Sequence, residues 1–257
     1  MKKKLLLFAG VGLALLLVGL LVAGVFIDKA VKKGVETFGP PITGTTISLD
    51  GVGISVITGS GSIRGLIIGN PQGFKHPSAI ELGQASLSVS PGSLLSDKIV
   101  VKSVSVEAPQ ITFEGGLSGN NLSKLLANIE AATGSGKTSA QTQAATSGSS
   151  KKIQINDFRL SNARVNVTLT DLGGKTLSLT LPEIHLTDLG AGTDGLTPAD
   201  LSKRLVTVLL AKTTEAVAGE LKNLGKLGAD LGKGLGKNAV EEAGKATKGI
   251  TDLFKKK

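Results

Sequence analysis

The chain has no cysteine, tryptophan or tyrosine among its 257 residues, and only seven phenylalanines and two histidines. Without cysteine there is no disulfide framework, no thiol nucleophile and no thiolate metal site. The two histidines, His76 and His185, stand alone, with no carboxylate cluster around either, so they do not make a metal-ligand set. No serine lies in a G-x-S-x-G nucleophile elbow. The net charge is +9, yet the scarcity of aromatic rings removes the stacking platforms that single-stranded nucleic acid requires. The lysines gather at the two ends of the chain, a distribution that fits an anionic membrane surface better than a polynucleotide. Any core has to be built from Val, Ile, Leu and Ala.

One long apolar run is present. Leu5–Ile27 carries no charge and no proline. About 23 such residues suffice to cross a hydrocarbon core of ~30 Å as a helix. The run predicts a transmembrane anchor over 5–27, with residues 1–4 before it. A cleaved signal peptide is the competing reading, but its apolar region would be shorter, ~7–15 residues. No cysteine follows, which excludes lipoprotein processing. Lys2, Lys3 and Lys4 flank the run on one side and Lys29, Lys32 and Lys33 on the other, so charge alone leaves the orientation open.

Beyond the anchor, residues 28–41 read as a juxtamembrane helix and linker. Val31, Val35 and Phe38 share one helical face, and Pro40-Pro41 is expected to break the helix. From Ile42 the period changes to two, and a β domain is expected over 42–196. Ile47 and Leu49, Ile54 and Val56, and Leu87 and Val89 alternate with small polar residues. Gly61–Phe74, GSIRGLIIGNPQGF, reads as a strand stopped by the turn Asn70-Pro71-Gln72-Gly73. Ile99–Ala108 is a dense strand, Pro109 interrupts it, and Gln110–Glu114 resumes. Leu122, Leu125, Leu126 and Ile129 predict a helix over 120–131, with Asn121 as its N-cap. The Gly, Ser, Thr and Ala of 132–150 read as a flexible linker.

A second strand set follows. Ile153 and Ile155 alternate, then the phase slips to Phe158 and Leu160, as at a bulge. Val165, Val167 and Leu169 precede a hairpin turn at Gly173-Gly174, and Leu177, Leu179 and Leu181 alternate strictly with Ser and Thr. Strict alternation predicts an antiparallel sheet with one apolar face. Thr197 and Pro198 open a last helix. In the region 197–257, Leu221, Leu224, Leu231 and Leu235 share a face, opposite Lys222, Lys226, Lys233 and Lys237. That stripe fits a membrane-surface helix, or equally a helix packed on the sheet.

Several segments resemble AsmA-like proteins, in order: the anchor, Ile47–Ile57, Gly61–Phe74, Leu94–Glu107, Pro109–Phe113, Asn120–Ile129 and Ile153–Gly195. The resemblance covers roughly residues 1–200. The Asn-Pro strand end also resembles, over a shorter stretch, the sandwich domains of late-embryogenesis-abundant proteins. The AsmA-like resemblance implies an α+β chain with a twisted, groove-shaped sheet of about eight to ten strands. It also implies an inner-membrane protein with its N-terminus in the cytoplasm and its bulk in the periplasm. Its function would be non-enzymatic and without cofactor: an apolar sheet face that holds or guides phospholipid acyl chains in envelope biogenesis, with envelope proteins or a second copy as partners. Val100, Val104, Val106, Leu177, Leu179 and Leu181 are the expected lipid-facing residues. The alternative is an interaction module whose own helices cover that face.

Other motifs are weak. Gly134–Thr138, GSGKT, lacks the first glycine of a phosphate-binding loop and its flanking strand, so no nucleotide is expected. Asn121-Leu122-Ser123 and Asn166-Val167-Thr168 match glycosylation sequons, which matter only in a eukaryotic secretory context.

Overall fold

Short β-branched runs punctuated by glycine and proline become strands, and the apolar-striped segments become helices. The structure is a computed structural model that describes residues 28–55, 57–117, 119–134, 151–169, 175–192 and 194–234. The proposed anchor Leu5–Ile27, Val56, the linker and phosphate-loop-like residues 135–150, Gly173-Gly174, Leu235 and Lys237 lie outside those residues. Among the described residues, no helix is long and apolar enough to cross a membrane.

Helix α1 occupies residues 28–43. It is followed by β1 (Ile47–Ser48), β2 (Gly51–Ile54), β3 (Ser60–Gly69) and β4 (Ser78–Val89), then a 3-10 turn, Pro91–Leu95. Next come β5 (Lys98–Glu107), β6 (Gln110–Gly115), α2 (Asn121–Gly134), β7 (Lys152–Ser161), β8 (Arg164–Leu169), β9 (Lys175–Thr180), β10 (Ile184–Leu189) and α3 (Pro198–Gly234). The ten strands form one sheet.

The sheet is mixed, which corrects the antiparallel expectation. Strands β5 and β7 run parallel, as do β6 and β8. Alternation of apolar and polar residues reports which face is buried and says nothing of a neighbour's direction. The connection from β6 to β7 contains α2 and continues to Lys152, long enough for the crossover that parallel pairing needs.

The registers show that several strands are two halves of one line. Pairings of β4 with β5 (Ala85 with Val106) and with β6 (Glu81 with Gln110) share one continuous register. The same continuity links β7 to β8, β10 to β9, and β2 to β1. The ten strands therefore lie in six lanes, about 24 Å across at ~4.8 Å per lane. The interruptions fall on one row: Asp50, Gly65, Gly83, Ala108, Asn162 and Pro182 face one another in register across all six lanes. Gly65, Ala108 and Asn162 have φ of 60°, 48° and 54°. Backbone bonds stitch across the row, from Ala108 N–H to Ser161 O at 2.9 Å and from Leu181 N–H to Ala163 O at 2.9 Å.

At this crease the inward phase slips by one residue. Inward side chains lie three apart across it: Leu49 and Val52, Leu82 and Ala85, Leu181 and Ile184, all buried. The crease separates a proximal half (β2, β5, β7, β10 and the adjoining parts of β3 and β4), beside which α1 begins, from a distal half (β1, β6, β8, β9 and the rest of β3 and β4). A second slip, between Ile155 and Phe158, falls in β7, where the sequence placed a bulge; β5 has its own irregularity opposite Ser88 and Val89.

Helix α1 guards the sheet edge. Asp28 Oδ1 accepts the Ile54 N–H at 2.8 Å, Glu36 Oε1 accepts the Leu49 N–H at 3.1 Å, and Lys32 Nζ donates to Asp50 O at 3.1 Å. Side-chain partners thus occupy edge groups that would otherwise be free to pair with another strand. The helix passes through Pro40-Pro41, contrary to the expected break. Its last turn is held by Thr43 Oγ1 donating to Gly39 O at 3.0 Å and by Gly44 N–H donating to Pro40 O at 2.8 Å. Gly44, with φ of 65°, ends it.

Helix α2 starts one residue later than expected and ends three later. Its cap is Asn120 rather than Asn121: Asn120 Oδ1 accepts the Ser123 N–H at 2.9 Å, and Ser123 Oγ accepts the Asn120 N–H at 3.0 Å. Thr197 caps α3 as expected, its Oγ1 accepting the Asp200 N–H at 3.0 Å. Helices α2 and α3 pack over the distal half, where Phe113, Leu122, Leu125, Val165, Val167, Val217 and Leu221 are fully buried.

Candidate functional site: an apolar groove

Helices α2 and α3 seal the inner face of β8 and β9, but a groove stays open across the crease. Between the sheet, the flank of α1 and the first half of α3 lies a cavity of about 820 Å³. Helix α1 supplies Val31, Gly34, Val35, Phe38 and Ile42, one face of a 3.6-residue period. Helix α3 supplies Pro198, Ser202, Leu205, Val206 and Leu209 in the same rhythm. The floor is Leu66 and Ile68 of β3, Ile80 and Leu82 of β4, Ile99 and Val106 of β5, Ile153, Phe158 and Leu160 of β7, and Ile184 and Leu186 of β10. Leu125 and Ile129 of α2 close the distal side. Phe38, 53 % exposed, stands at the rim.

The wall offers almost nothing to a polar ligand. Its polar side chains are Thr43, Lys151 and Ser202, and each is bonded to the chain's own backbone. Thr43 donates to Gly39 O, Ser202 Oγ to Pro198 O at 2.8 Å, and Lys151 Nζ to Leu94 O at 2.7 Å. A cavity of this size lies within the ~300–1,000 Å³ typical of ligand sites, and its lining favours an aliphatic occupant.

The residues expected from the sequence to face lipid divide. Val106 lines the groove. Val104 is half-buried against the adjoining cluster, which includes Ala85, Val106 and Phe158. Val100 is out of phase: it pairs with Gln154, while its neighbours Ile99 and Val101 pair with Ile153 and Ile155. Leu181 is buried, and Leu177 and Leu179 are half-buried against the distal core. None of those three lines the groove, because α2 and α3 pack over their half of the sheet. In the basic helix, Leu221 is fully buried, Leu224 is 42 % exposed, and Lys222 and Lys226 are exposed. Leu231 and Lys233 lie within α3, whose described side chains end before them. The groove residues missed from sequence are the flanks of α1 and α3. The Val31, Val35 and Phe38 stripe was the available signal.

Polar clusters lie elsewhere. Asn70 and Glu114 meet at the distal end: Glu114 accepts the N–H groups of Lys75 at 2.7 Å and His76 at 2.9 Å and the Asn70 amide at 3.2 Å. His76 Nδ1 lies 3.1 Å from Ser78 O. Asn121, the acceptor of one sequon, is fully buried. On the exposed outer face, Arg159 hydrogen-bonds the Asp157 carboxylate at 3.1 Å and holds it below the usual carboxylate range, aided by His185 at 3.2 Å. Among the described residues, no group of three His, Asp or Glu side chains converges as metal ligands would.

No curated protein and no solved structure matches the chain. The sequence model of the AsmA family does match, over residues 60–194. That span runs from the first residue of β3 through β10, takes in the crease except Asp50 and most of the groove floor, and makes up just over half of the chain. The protein belongs to the AsmA family.

Proposed function

We propose that this chain is a non-enzymatic protein of the cell envelope that holds lipid acyl chains in its groove. Membership of the AsmA family is compatible with an envelope role. The observation that carries the reading is the chemistry of the wall: an 820 Å³ space lined almost wholly by aliphatic groups, its few polar atoms already bonded to the backbone. An acyl chain asks for a dry apolar surface and no directional partner. In this reading, residues 5–27 anchor the chain in the bacterial inner membrane and the described residues lie in the periplasm. The occupant is a phospholipid, and neither nucleotide nor nucleic acid takes part. Six lanes span too little to cross a periplasm, so delivery to a second membrane would call on envelope proteins or further copies.

Gly34 gives a clean test. It lies on the groove face of α1, and a β carbon there meets nothing within 4 Å. Gly34→Phe should fill the space while favouring the helix by several tenths of a kcal/mol. Lipid mass spectrometry on the full chain purified in mild detergent should find bound phospholipid in the wild type. The variant should carry much less, with an undiminished unfolding temperature. Wild-type protein free of lipid, or equal lipid in the variant, would contradict the proposal. The covering of β8 and β9 by α2 and α3 supports a second role for that part of the sheet, as a closed packing module.

A further inference from the structure

Two large aliphatic side chains project from the proximal end of the sheet. Leu95, at the close of the 3-10 turn, is 96 % exposed, and Ile57, on the β2–β3 turn, is 71 % exposed. The two turns belong to one surface, since Val89 N–H, just before the 3-10 turn, donates to Gly59 O at 2.6 Å. Neither side chain contributes to a core, so neither position is explained by folding.

Cations surround them. Lys98 and Lys152 face each other across the β5–β7 pair. Lys151 arches to Leu94 O, and exposed Lys29 lies in the first turn of α1. The acidic groups at this end are Asp97 and Asp194, both exposed, Asp200 in the first turn of α3, bonded to Thr197, and Asp28, whose carboxylate is bonded to the Ile54 N–H. Exposed aliphatic tips among lysines match the chemistry of an anionic bilayer surface, with apolar groups at the acyl boundary and ammonium groups among the phosphates.

An independent observation points the same way. The Asp28 bond to Ile54 fixes the start of α1 at this end of the sheet. The sequence immediately before it, residues 5–27, is the charge-free apolar run. The most apolar part of the chain therefore joins the fold beside Ile57 and Leu95. The groove also reaches this end, through Ile99, Lys151 and Ile153.

We infer that the proximal end docks on an anionic lipid bilayer, with Leu95 and Ile57 entering the acyl boundary and Lys98, Lys151 and Lys152 lying among the headgroups. This contact does not depend on what fills the groove, and it can hold or fail by itself.

The absence of native cysteine makes the test direct. Full-length chains carrying Leu95→Cys, Ile57→Cys or, at the exposed distal loop, Gln72→Cys are labelled with an environment-sensitive fluorophore. They are then reconstituted in phosphatidylethanolamine–phosphatidylglycerol vesicles with brominated acyl chains. The Leu95 and Ile57 labels should shift to the blue and lose fluorescence to the bromines, while the Gln72 label stays aqueous. Adding Lys98→Glu and Lys152→Glu should reduce the loss at Leu95. Proximal labels quenched no more than the Gln72 label, as a protein partner at this end would give, would overturn the inference. So would a chain that stays off the vesicles.

Discussion

Asn121 has zero exposure and no solvent to satisfy its amide. Its Nδ2 donates to Asn70 Oδ1 and to Thr112 O, both at 2.8 Å, and its Oδ1 accepts the Glu114 N–H at 2.9 Å. One side chain thus ties the Asn-Pro loop, β6 and the start of α2 together. Glu114 completes the tie by accepting the loop's N–H groups. Asn121→Ala leaves buried partners unpaired and should cost about 2–3 kcal/mol, at ~1–3 kcal/mol per orphaned group, read as a lowered urea midpoint. A merely local cap would lose about 1 kcal/mol. The sequence marks Asn121 as a helix-start residue and Asn70 as a turn residue. It cannot show that they touch, because the bond spans 51 positions, and Glu114 carries no signal beyond its place at a strand end.

Elements are governed by the crease. Each lane slips phase at the same row, so the inner face stays apolar on both sides while the sheet turns. Gly65 holds a left-handed backbone there with the Asp50 side chain against it, and a β carbon would collide with that carboxylate. Gly65→Ala should cost at least the ~1–2 kcal/mol of left-handed backbone strain, read as a fall in thermal unfolding temperature. Gly83, on the same row with open space around its α carbon, should tolerate alanine far better. Much of this was legible piecemeal. The strand runs, the interruption at Pro109 and the strict alternation of Leu177, Leu179 and Leu181 all stand in the sequence. The alignment of the breaks was not, since it exists only once the lanes are in register. Parallel pairing of β5 with β7 was hidden for the same reason. Pro40-Pro41 misled because Thr43 and Gly44 close the last turn onto Gly39 O and Pro40 O, and Asn128 Nδ2 of α2 pins it by donating to Thr43 O at 2.9 Å.

The molecule as a whole is covered over β8 and β9 and open across the crease. In the distal half, α2 and α3 cover the sheet, and the Lys203–Glu130 ion pair at 3.1 Å joins the two helices across their exposed sides. Between α1 and α3 the groove crosses the crease, from Leu66, Ile68, Ile80 and Ile111 on the distal side to the end where the apolar run joins the fold. The sheet face is covered in one part and open in another. Leu177 lies against the covered core because alternation assigns a face without saying what lies over it, and Val100 is out of phase with Ile99 and Val101. The central claim is that the groove takes an acyl chain, and photocrosslinking addresses it most directly. The full chain is reconstituted with a phospholipid bearing a diazirine near the end of its acyl tail, irradiated, digested and mapped. The account predicts adducts on the groove wall, in the peptides holding Leu66–Ile68, Val106–Ile111 and Ile184–Leu186. Adducts confined to residues 5–27, with none on that wall, would contradict it.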